Sequence, residues 1–430
     1  MANPFNSGPS CRSRRVTTEI DRRGVDVYCL QCSSCRFFTL ENMRVRTSHK
    51  PAHPARLVQN LQWSARFVRR ARLQSSTGEV HHLKITAVSA VYPNYRNVPA
   101  SWRTHFWQIV VRIETDAGVT GFGYGGGGRA AVEVVNRHFA ELVVGSDLDS
   151  VADISAIWDH VYAESLPYGR KGVAIMALSG LDLALWDALG KAEAKPVYEL
   201  LGGASKGNIR SYATGADQSW YGELGFTATK FPHRWTEDAD YDSAIERATI
   251  AREAMGDDGL VMIDTYMSWD SAVTTRMTEL LKPFNIYWFE DVCTPDELDA
   301  QAQLRPVAAP VLIAGGEHEF THFGFAEIAR AGALDLWQPD ITWCGGITAG
   351  LRILNVASEA GIPVAPHRGG EVWGLHLIAA SRCMDLAEVL PGMRGGNRDD
   401  LWIGEPTAEN GYIAPSDAPG FGVRLNEDML

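Results

Sequence analysis

The sequence predicts an α/β protein: a (β/α) barrel preceded by an α+β unit and a basic leader. From about residue 208, eight short apolar runs alternate with helical patterns, which is typical of a (β/α) barrel. Between residues 83 and 205, strand patterns come first and helical patterns follow, as in an α+β unit. Residues 1–80 carry 14 Lys and Arg against 5 Asp and Glu, whereas the rest of the chain is acidic.

The amino-acid composition and net charge limit the kinds of molecule that this protein is expected to bind. Of 430 residues, 45% are hydrophobic and 21% charged, which is ordinary for a globular protein. The net charge of -12 disfavours nucleic acid and anionic membrane surfaces as partners. No apolar run approaches the roughly 20 residues that span a bilayer. We therefore expect a small-molecule substrate, with no nucleic acid and no membrane.

The leader, residues 1–80, shows no sustained helical or strand period. Cys29, Cys32 and Cys35 could form part of a metal site, but no second Cys/His cluster stands at zinc-site spacing. A disordered or processed leader is the preferred interpretation. Only three of the seven cysteines lie beyond the leader, and they are scattered, which fits a reducing compartment. We expect a cytoplasmic protein, with organellar import through the basic leader as the alternative.

The α+β unit begins with strand patterns over 83–90, 106–115 and 119–123, the last two joined by a turn at Asp116–Gly118. A helix follows with Val132, Val135, Phe139 and Leu142 on one face. A second helix is predicted from apolar residues at near-helical spacing, namely Ile175, Leu178, Leu181, Leu185 and Leu189. The run Gly125–Gly128 between these parts is interpreted as a flexible loop, with a phosphate cradle as the weaker alternative.

Eight barrel strands can be placed from the apolar runs. Their predicted bounds are 209–213, 227–231, 260–264, 286–290, 311–314, 334–337, 364–366 and 387–390. A doubly wound open sheet is the alternative. No GxGxxG motif or P-loop opens any of the units, which weakens that alternative.

Charged residues recur at the carboxyl ends of the predicted strands, where a barrel carries its chemistry. Asp264, Glu290 and Glu317 follow three consecutive strands at spacings of 26 and 27. Each acid could cap the next helix, but three in register would repel one another. A divalent cation that prefers oxygen ligands, Mg²⁺ first, would resolve that repulsion. The spacing therefore predicts a metal site.

The next strands carry a candidate acid-base pair. Asp340 and His367 end neighbouring strands and are again 27 residues apart, so the carboxylate can fix the imidazole tautomer and raise its basicity. Glu388 stands at the same level on the last strand. Lys230 ends the second strand, either as a donor to an oxyanion or as a solvated lysine. Trp343 is interpreted as packing.

These residues resemble the enolase superfamily, within it the mandelate racemase subgroup, and most closely the rhamnonate dehydratase-like acid sugar dehydratases. The resemblance covers nearly all of residues 83–430. It is carried by the segments 179–187 (SGLDLALWD), 196–203 (PVYELLGG), 263–270 (IDTYMSWD), 316–319 (GEHE), 338–346 (QPDITWCGG) and 419–426 (PGFGVRLN).

The resemblance implies a fold and a set of roles. The fold would be a (β/α)7β-type TIM barrel with an N-terminal α+β capping domain that the C-terminal segment completes. The domains would be the leader 1–80, the cap 81–205, the barrel 206–395 and the returning segment 396–430. Asp264, Glu290 and Glu317 would bind one Mg²⁺ per subunit. The catalytic residues would be His367, Asp340, Glu388 and Lys230, and substrate contacts are expected from His318, His233, Arg368 and Arg103.

The implied activity is that of a hydro-lyase, an acid sugar dehydratase. It would convert an aldonate, L-rhamnonate or a related sugar acid, to the 2-keto-3-deoxy acid through an enediolate. Pro232 stands where the subgroup often has a second lysine, which argues against a two-base racemase. A cycloisomerase or epimerase using the same enediolate is the alternative, and a non-catalytic sugar-acid binder is a remote one. A homo-oligomer, with an octamer possible, is also implied.

Overall fold

The computed structural model describes residues 82–95, 107–395 and 401–430. All of them belong to one unit of the chain, Val68–Leu430. The predicted leader, the cluster of Cys29, Cys32 and Cys35, and Arg103 lie outside the described residues.

The cap begins with a three-stranded antiparallel sheet of consecutive strands. The strands are β1 (Ile85–Val91), β2 (Ile109–Thr115) and β3 (Thr120–Gly125). The predicted turn lies between β2 and β3, where Gly118 takes the left-handed backbone conformation, with a φ of 74°. The cap helices are α1 (Gly128–Glu133), a π-helical turn (Val134–Phe139), α2 (Ala140–Val143), α3 (Val151–Ser165), α4 (Val173–Ala192) and α5 (Val197–Leu200).

Helix α4 lies directly on β3 because that strand carries glycines on one face. A Cβ atom at Gly121, Gly123 or Gly125 would lie 2.0–2.6 Å from backbone carbonyl oxygens of α4. Only glycine permits such a close approach. The helix is long and apolar enough to span a membrane, but 89% of its apolar stretch is buried inside the protein. The sequence shows no unbroken apolar run here because Asp182 and Asp187 interrupt it.

The first cap helix differs from its predicted pattern. The stripe of Val132, Val135, Phe139 and Leu142 assumes an unbroken α-helix. The π-helical turn interrupts that helix. Val132 and Leu142 are only partly buried. The fully buried residues instead recur every four positions, at Ala131, Val135, Phe139 and Val143. The wider turn keeps a four-residue spacing on the core side.

The barrel contains seven parallel strands paired in chain order, with the last strand returning to pair with the first. The strands are β4 (Ile209–Thr214), β5 (Ala228–Pro232), β6 (Leu260–Asp264), β7 (Ile286–Glu290), β8 (Leu312–Gly315), β9 (Leu336–Trp337) and β10 (Leu386–Val389). The predicted strand at 364–366 forms a single parallel bridge, from Val364 to Trp337. It stays short because Pro363 and Pro366 have no N–H to donate.

Helices connect the barrel strands on the outside. They are α6 (Gln218–Glu223), α7 (Ala239–Met255), α8 (Ser271–Leu281), α9 (Leu298–Ala308), α10 (Thr321–Ala331), α11 (Gly346–Ala360) and α12 (Val372–Ala380), with a 3₁₀ turn at Lys282–Phe284. Asp217 and Asp270 cap α6 and α8 by accepting hydrogen bonds from backbone N–H groups of their first turns.

The C-terminal segment returns to the cap. Strand β11 (Trp402–Ile403) pairs antiparallel with β13 (Arg424–Leu425), and β12 (Tyr412–Ile413), which lies between them in the chain, pairs antiparallel with β4. A 3₁₀ turn, Glu427–Met429, follows β13. Gly420 then bridges Pro196 beside α5, and the carbonyl of Met429 accepts a hydrogen bond from the N–H of Asn94. The predicted barrel and its cap, completed by this segment, are confirmed. The domain boundaries themselves stay predictions.

Candidate active site

The barrel interior is built in layers, and the upper layer is polar. A lower layer takes one apolar residue from each of the eight strand positions: Tyr212, Ala228, Met262, Trp288, Ala314, Leu336, Ala365 and Leu386. Side chains on one face of a strand recur every second residue. Two residues further along each strand stand Thr214, Lys230, Asp264, Glu290, Gly316, Gln338, His367 and Glu388. Most of the predicted catalytic and metal-binding residues therefore belong to one layer.

Lys230 lies between two of these carboxylates. Its Nζ donates to Glu290 Oε1 and lies 2.8 Å from Glu388 Oε1, and all three side chains are about 1% exposed. Burial alone would lower the pKa of this lysine, but the two carboxylates raise it well above its usual value. Lys230 is therefore held as an ammonium ion and cannot take up a proton.

Glu388 is ionised in this arrangement. Its Oε1 also accepts a hydrogen bond of 2.6 Å from Thr214 Oγ1, and its Oε2 accepts one of 2.7 Å from the backbone N–H of Arg368. Burial alone would raise the pKa of Glu388, but Lys230 and His367 lower it to about 2. An ionised carboxylate accepts hydrogen bonds and cannot donate one to an oxyanion.

Glu290 uses its second oxygen as well. Its Oε2 accepts hydrogen bonds from Trp288 Nε1 at 3.0 Å and from Gln338 Nε2 at 2.6 Å. These donors fix the plane of the carboxylate from the barrel side. Gln338 is a site residue that the sequence analysis missed; extending the two-residue period from Leu336 would have found it.

The acids Asp264, Glu290 and Glu317 lie close enough to repel one another. Asp264 is directly opposite Glu290 in the pairing of β6 with β7. Burial and then the charge of Glu290 raise the pKa of Asp264 to about 8, and Glu317 adds to the shift. Burial also raises the pKa of Glu290, again with a contribution from Glu317. Such an excess of carboxylate oxygens fits a hard divalent cation, which binds oxygen ligands and offsets the repulsion.

Asp291 extends this carboxylate group. Ligand atoms of Asp291, Glu317 and His318 lie within 4.8 Å of one another. Burial and the charge of Glu317 raise the pKa of Asp291 well above its usual value. Asp291 was not predicted as a site residue, although it directly follows Glu290. Because Mg²⁺ prefers oxygen, the nitrogen of His318 suits that ion less well than the carboxylates do.

His367 and Asp340 form the predicted pair. His367 Nδ1 lies 2.8 Å from Asp340 Oδ2, and its Nε2 lies 3.4 Å from Glu317 Oε2. Although burial would raise it, the pKa of Asp340 is held far below its usual value by Arg368 and His367. An ionised Asp340 makes Nδ1 the donor and directs Nε2 toward Glu317. Burial alone would lower the pKa of His367, but Glu317 and Asp340 raise it to about 9.

Arg368, predicted to contact substrate, is directed at Asp340 instead. Its Nε and Nη2 donate to Asp340 Oδ2 at 3.0 and 2.8 Å, and its side chain is about 1% exposed. Its guanidinium also lies over the ring of Trp343, 5.1 Å from the ring centroid. The backbone of Arg368 is left-handed, with a φ of 51°, which turns its side chain back toward the strand of Asp340. This geometry was not predictable from the order of residues.

The other predicted substrate contacts lie in different places. His318 is partly exposed near the carboxylates, with its ring stacked 6.2 Å from that of Trp343. The backbone N–H of His233 donates to the carbonyl of Asp264, but the residue lines a surface groove of about 420 Å³ with Arg247 of helix α7. Strand alternation explains this, because Lys230 and Pro232 share one face of β5 while Phe231 and His233 share the other. The described residues do not include Arg103.

Three further residues connect the cap to this site. Gln108, just before β2, donates from Nε2 to Thr342 Oγ1 at 3.0 Å and accepts from Trp343 Nε1 at 2.7 Å. Trp343 packs against Gly126, where a Cβ would lie 2.7 Å from the indole ring. The glycine run therefore makes room for Trp343. Trp343 was predicted to serve in packing, and neither Gln108 nor Thr342 was predicted as a site residue.

Family models match both parts of this architecture. The model described as "Enolase C-terminal domain-like" matches residues 213–429. The model of the mandelate racemase / muconate lactonizing enzyme N-terminal domain matches residues 88–202.

Individual relatives agree with these models. A protein of Caldivirga maquilingensis, provisionally named L-rhamnonate dehydratase, is 36% identical over 350 residues, covering 79% of this chain and 87% of the relative. The structure of rhamnonate dehydratase from Gibberella zeae complexed with Mg matches with a TM-score of 0.74 at 30% identity, covering 82% of this chain and 96% of that one. The 3,6-anhydro-D-galactonate cycloisomerase from Zobellia galactanivorans matches with a TM-score of 0.70 at 27% identity, covering 80% and 97%. The predicted resemblance is confirmed: this chain belongs to the enolase superfamily, in its mandelate racemase and muconate lactonizing enzyme family.

Proposed function

We propose that this protein is a Mg²⁺-dependent hydro-lyase that dehydrates a sugar acid, L-rhamnonate or a related aldonate, to the 2-keto-3-deoxy acid. The observation that carries the proposal is the buried pair of His367 and Asp340, with His367 Nε2 directed at Glu317 beside the acids. A base next to a cation site is what removal of a proton beside a substrate carboxylate requires. The names of the Caldivirga and Gibberella relatives support dehydration as the outcome.

Asp264, Glu290 and Glu317 would hold the magnesium ion, with Asp291 as a nearby further carboxylate. The ion would act as a Lewis acid for the carboxylate of the substrate and so favour loss of the neighbouring C2 proton. A bound cation would offset the charge of Glu317 and so reduce its contribution to the pKa of His367. That pKa would then lie closer to the range that suits a general base near neutral pH.

One acid-base residue would serve both proton transfers. His367 Nε2 takes the C2 proton, Asp340 stabilises the imidazolium through Nδ1, and His367 then protonates the departing C3 hydroxyl. Lys230 is not assigned as a second base, because Glu388, which is not among the proposed magnesium ligands, keeps a carboxylate oxygen 2.8 Å from its Nζ. Its positive charge instead stabilises the negative charge of the enediolate from within the barrel. The enol product tautomerises to the 2-keto-3-deoxy acid.

The test is a screen of the protein with Mg²⁺ against a library of aldonates and aldarates, with semicarbazide detection of 2-keto acids. We expect a 2-keto acid from L-rhamnonate or a closely related aldonate, and none after chelation of Mg²⁺. Absence of a 2-keto acid from every member of the library would contradict the proposal.

A cycloisomerase is the second candidate, because the Zobellia neighbour bears that name. It would use the same base and the same enediolate but release no water. Product analysis separates the two activities, because an intramolecular ring opening or closure preserves the mass of the substrate, whereas dehydration removes one water.

Two further expectations accompany this proposal. We propose that the chain forms a homo-oligomer, up to an octamer, which light scattering on the purified protein will test. We also propose a cytoplasmic location, which imaging of a C-terminal fluorescent fusion will test.

A further inference from the structure

A cap residue, Gln108, reaches into the loop that carries the acid-base pair. Its side chain is fully buried and makes both of its hydrogen bonds to residues of the barrel, Thr342 and Trp343. Both partners follow Asp340 within three residues. The cap therefore touches the segment that holds the aspartate of the pair.

The identity of the partners fixes the direction of each hydrogen bond. An indole nitrogen can only donate, so Gln108 Oε1 must face Trp343 and its NH₂ group must face Thr342. Thr342 Oγ1 consequently accepts from Gln108, and it accepts from Arg368 Nη2 as well. Both of its lone pairs are occupied, and its single hydrogen remains to be donated.

That hydrogen is directed at Asp340. Thr342 Oγ1 lies 2.7 Å from Asp340 Oδ1, while Asp340 Oδ2 accepts from His367 Nδ1 at 2.8 Å. The backbone N–H of Thr342 donates to Oδ1 as well, at 2.7 Å. The carboxylate is thus oriented from one side by Thr342 and orients the imidazole from the other.

We propose that Gln108 and Thr342 are positioning residues: through Asp340 they hold His367 in the orientation its proton transfers require, so that the seated cap completes the acid-base machinery of the barrel. This inference rests on the proposed function. Neither residue touches the reacting atoms, and both act through the hydrogen-bond chain Gln108, Thr342, Asp340, His367.

The first test compares two identical substitutions. Thr342→Val removes the hydroxyl, and a methyl group cannot approach Asp340 Oδ1 as closely as a donating hydroxyl, so the carboxylate must shift. Thr348→Val is the matched control: Thr348 Oγ1 also accepts a buried hydrogen bond from a cap residue, Trp186 Nε1 at 3.1 Å, and its hydroxyl bonds to a different buried aspartate, Asp182. We expect Thr342→Val to lower kcat by roughly ten- to a hundredfold with KM little changed, and Thr348→Val to leave both unchanged.

Two more variants separate position from packing. Thr342→Ser keeps the hydroxyl and is expected to retain kcat close to that of the wild type. Gln108→Leu removes both of its hydrogen bonds at similar volume and is expected to lower kcat in the same direction as Thr342→Val. In an Asp340→Asn background, Thr342→Val should have little further effect, because both changes act on one chain. Equal kcat values for Thr342→Val and Thr348→Val, or a full additional loss in the Asp340→Asn background, would overturn the inference.

A second measurement needs no turnover and keeps this inference separate from the proposed function. Crystal structures of the three proteins should retain the Asp340–His367 contact in the wild type and Thr348→Val, and show it lengthened or the ring rotated in Thr342→Val. An undisturbed pair in Thr342→Val overturns the positioning role even if sugar acids are dehydrated. If the wild type dehydrates no sugar acid but the pair moves as expected, the proposed function fails and the positioning role stands.

Discussion

The two sides of the barrel mouth differ in how their charges are balanced. On the dyad side (Asp340, His367 and Arg368), a single carboxylate is shared by two potential cations, and its pKa is held far below the usual value. On the carboxylate side (Asp264, Glu290 and Glu317), three acids crowd together, and the pKa of Asp264 rises to about 8. Burial penalises charge on both sides, so the difference comes from the partners.

The two sides therefore differ in whether they need a ligand to balance their charge. The dyad side is complete with protein groups alone, which fixes its geometry before any ligand arrives. The carboxylate side has more negative charge than Lys230 can offset, which makes it a receptor for a divalent cation. In the proposed mechanism the base and the cation site therefore meet at Glu317, whose Oε2 lies 3.4 Å from His367 Nε2.

The largest expected effect comes from removing the base. His367→Asn should lower kcat for dehydration by roughly a hundred- to ten-thousandfold, because the residue carries both proton transfers. The exposed His160 of helix α3 provides a control, and His160→Asn should keep full activity. Steady-state formation of 2-keto acid measures both variants. Full turnover by His367→Asn would remove the dyad from the mechanism.

Breaking the balance on the dyad side should cost stability. Arg368→Met leaves Asp340 buried with one cation fewer, and loss of one partner from a buried pair typically costs about 3 kcal/mol of unfolding free energy or more. Arg394→Met removes an arginine from an exposed pair with Glu223, at 2.7 Å, and should change nothing measurable. Urea denaturation compares the two. An equal response of both variants would show that burial does not distinguish these pairs.

Reducing the excess charge on the carboxylate side should weaken cation binding. Glu317→Gln is expected to lower the affinity for Mg²⁺ by at least the roughly ten- to hundredfold that loss of a supporting partner costs at metal sites. Glu327→Gln, an exposed acid on helix α10, removes the same charge away from the barrel mouth and should leave the affinity unchanged. Isothermal titration calorimetry with Mg²⁺ alone reads out both variants without any turnover.

The smallest expected effect concerns the stability of the protein at acid pH. It comes from a buried histidine that belongs to neither side of the barrel mouth. Burial lowers the pKa of His376 to about 4, and its Nδ1 accepts a hydrogen bond from the N–H of Tyr198. Below about pH 6.5 this histidine is protonated in the unfolded chain but stays neutral in the folded protein. The free energy of unfolding therefore falls as the pH drops toward 4, and this group contributes about 2 kcal/mol of that fall at pH 5. His376→Asn keeps an acceptor and should flatten the fall measured by urea denaturation at pH 7 and pH 5. An unchanged slope would assign the acid sensitivity to other groups, such as His322.

Much of the barrel was predictable because its strands end on charged residues. Strands β6 and β7 have the predicted bounds, since each is an apolar run that terminates in Asp264 or Glu290. Strand β9 ends at Trp337 as predicted but begins two residues later than predicted, at Leu336. The π-helical turn in the cap was not predictable, since nothing in the run 134–139 distinguishes it from an ordinary α-helix.

The site was predictable where side chains follow the strand period. Lys230, Asp264, Glu290, His367 and Glu388 lie in one interior layer, and strict use of that period would have added Thr214 and Gln338 and excluded His233. Arg368 and Gln108 depend instead on a left-handed backbone and on how the cap packs, neither of which is encoded in spacing. The assignments of individual metal ligands and catalytic roles stay predictions until the variants are measured.

The return of the C-terminal segment to the cap affects the order in which the chain can assemble. Asp187 in helix α4 accepts a hydrogen bond from the N–H of Phe421, 234 positions later. A nascent chain can therefore pair all its barrel strands on the ribosome before the cap has its last partners. The cap therefore completes its core only after residues 420–429, which follow every barrel strand in the chain, have been synthesised.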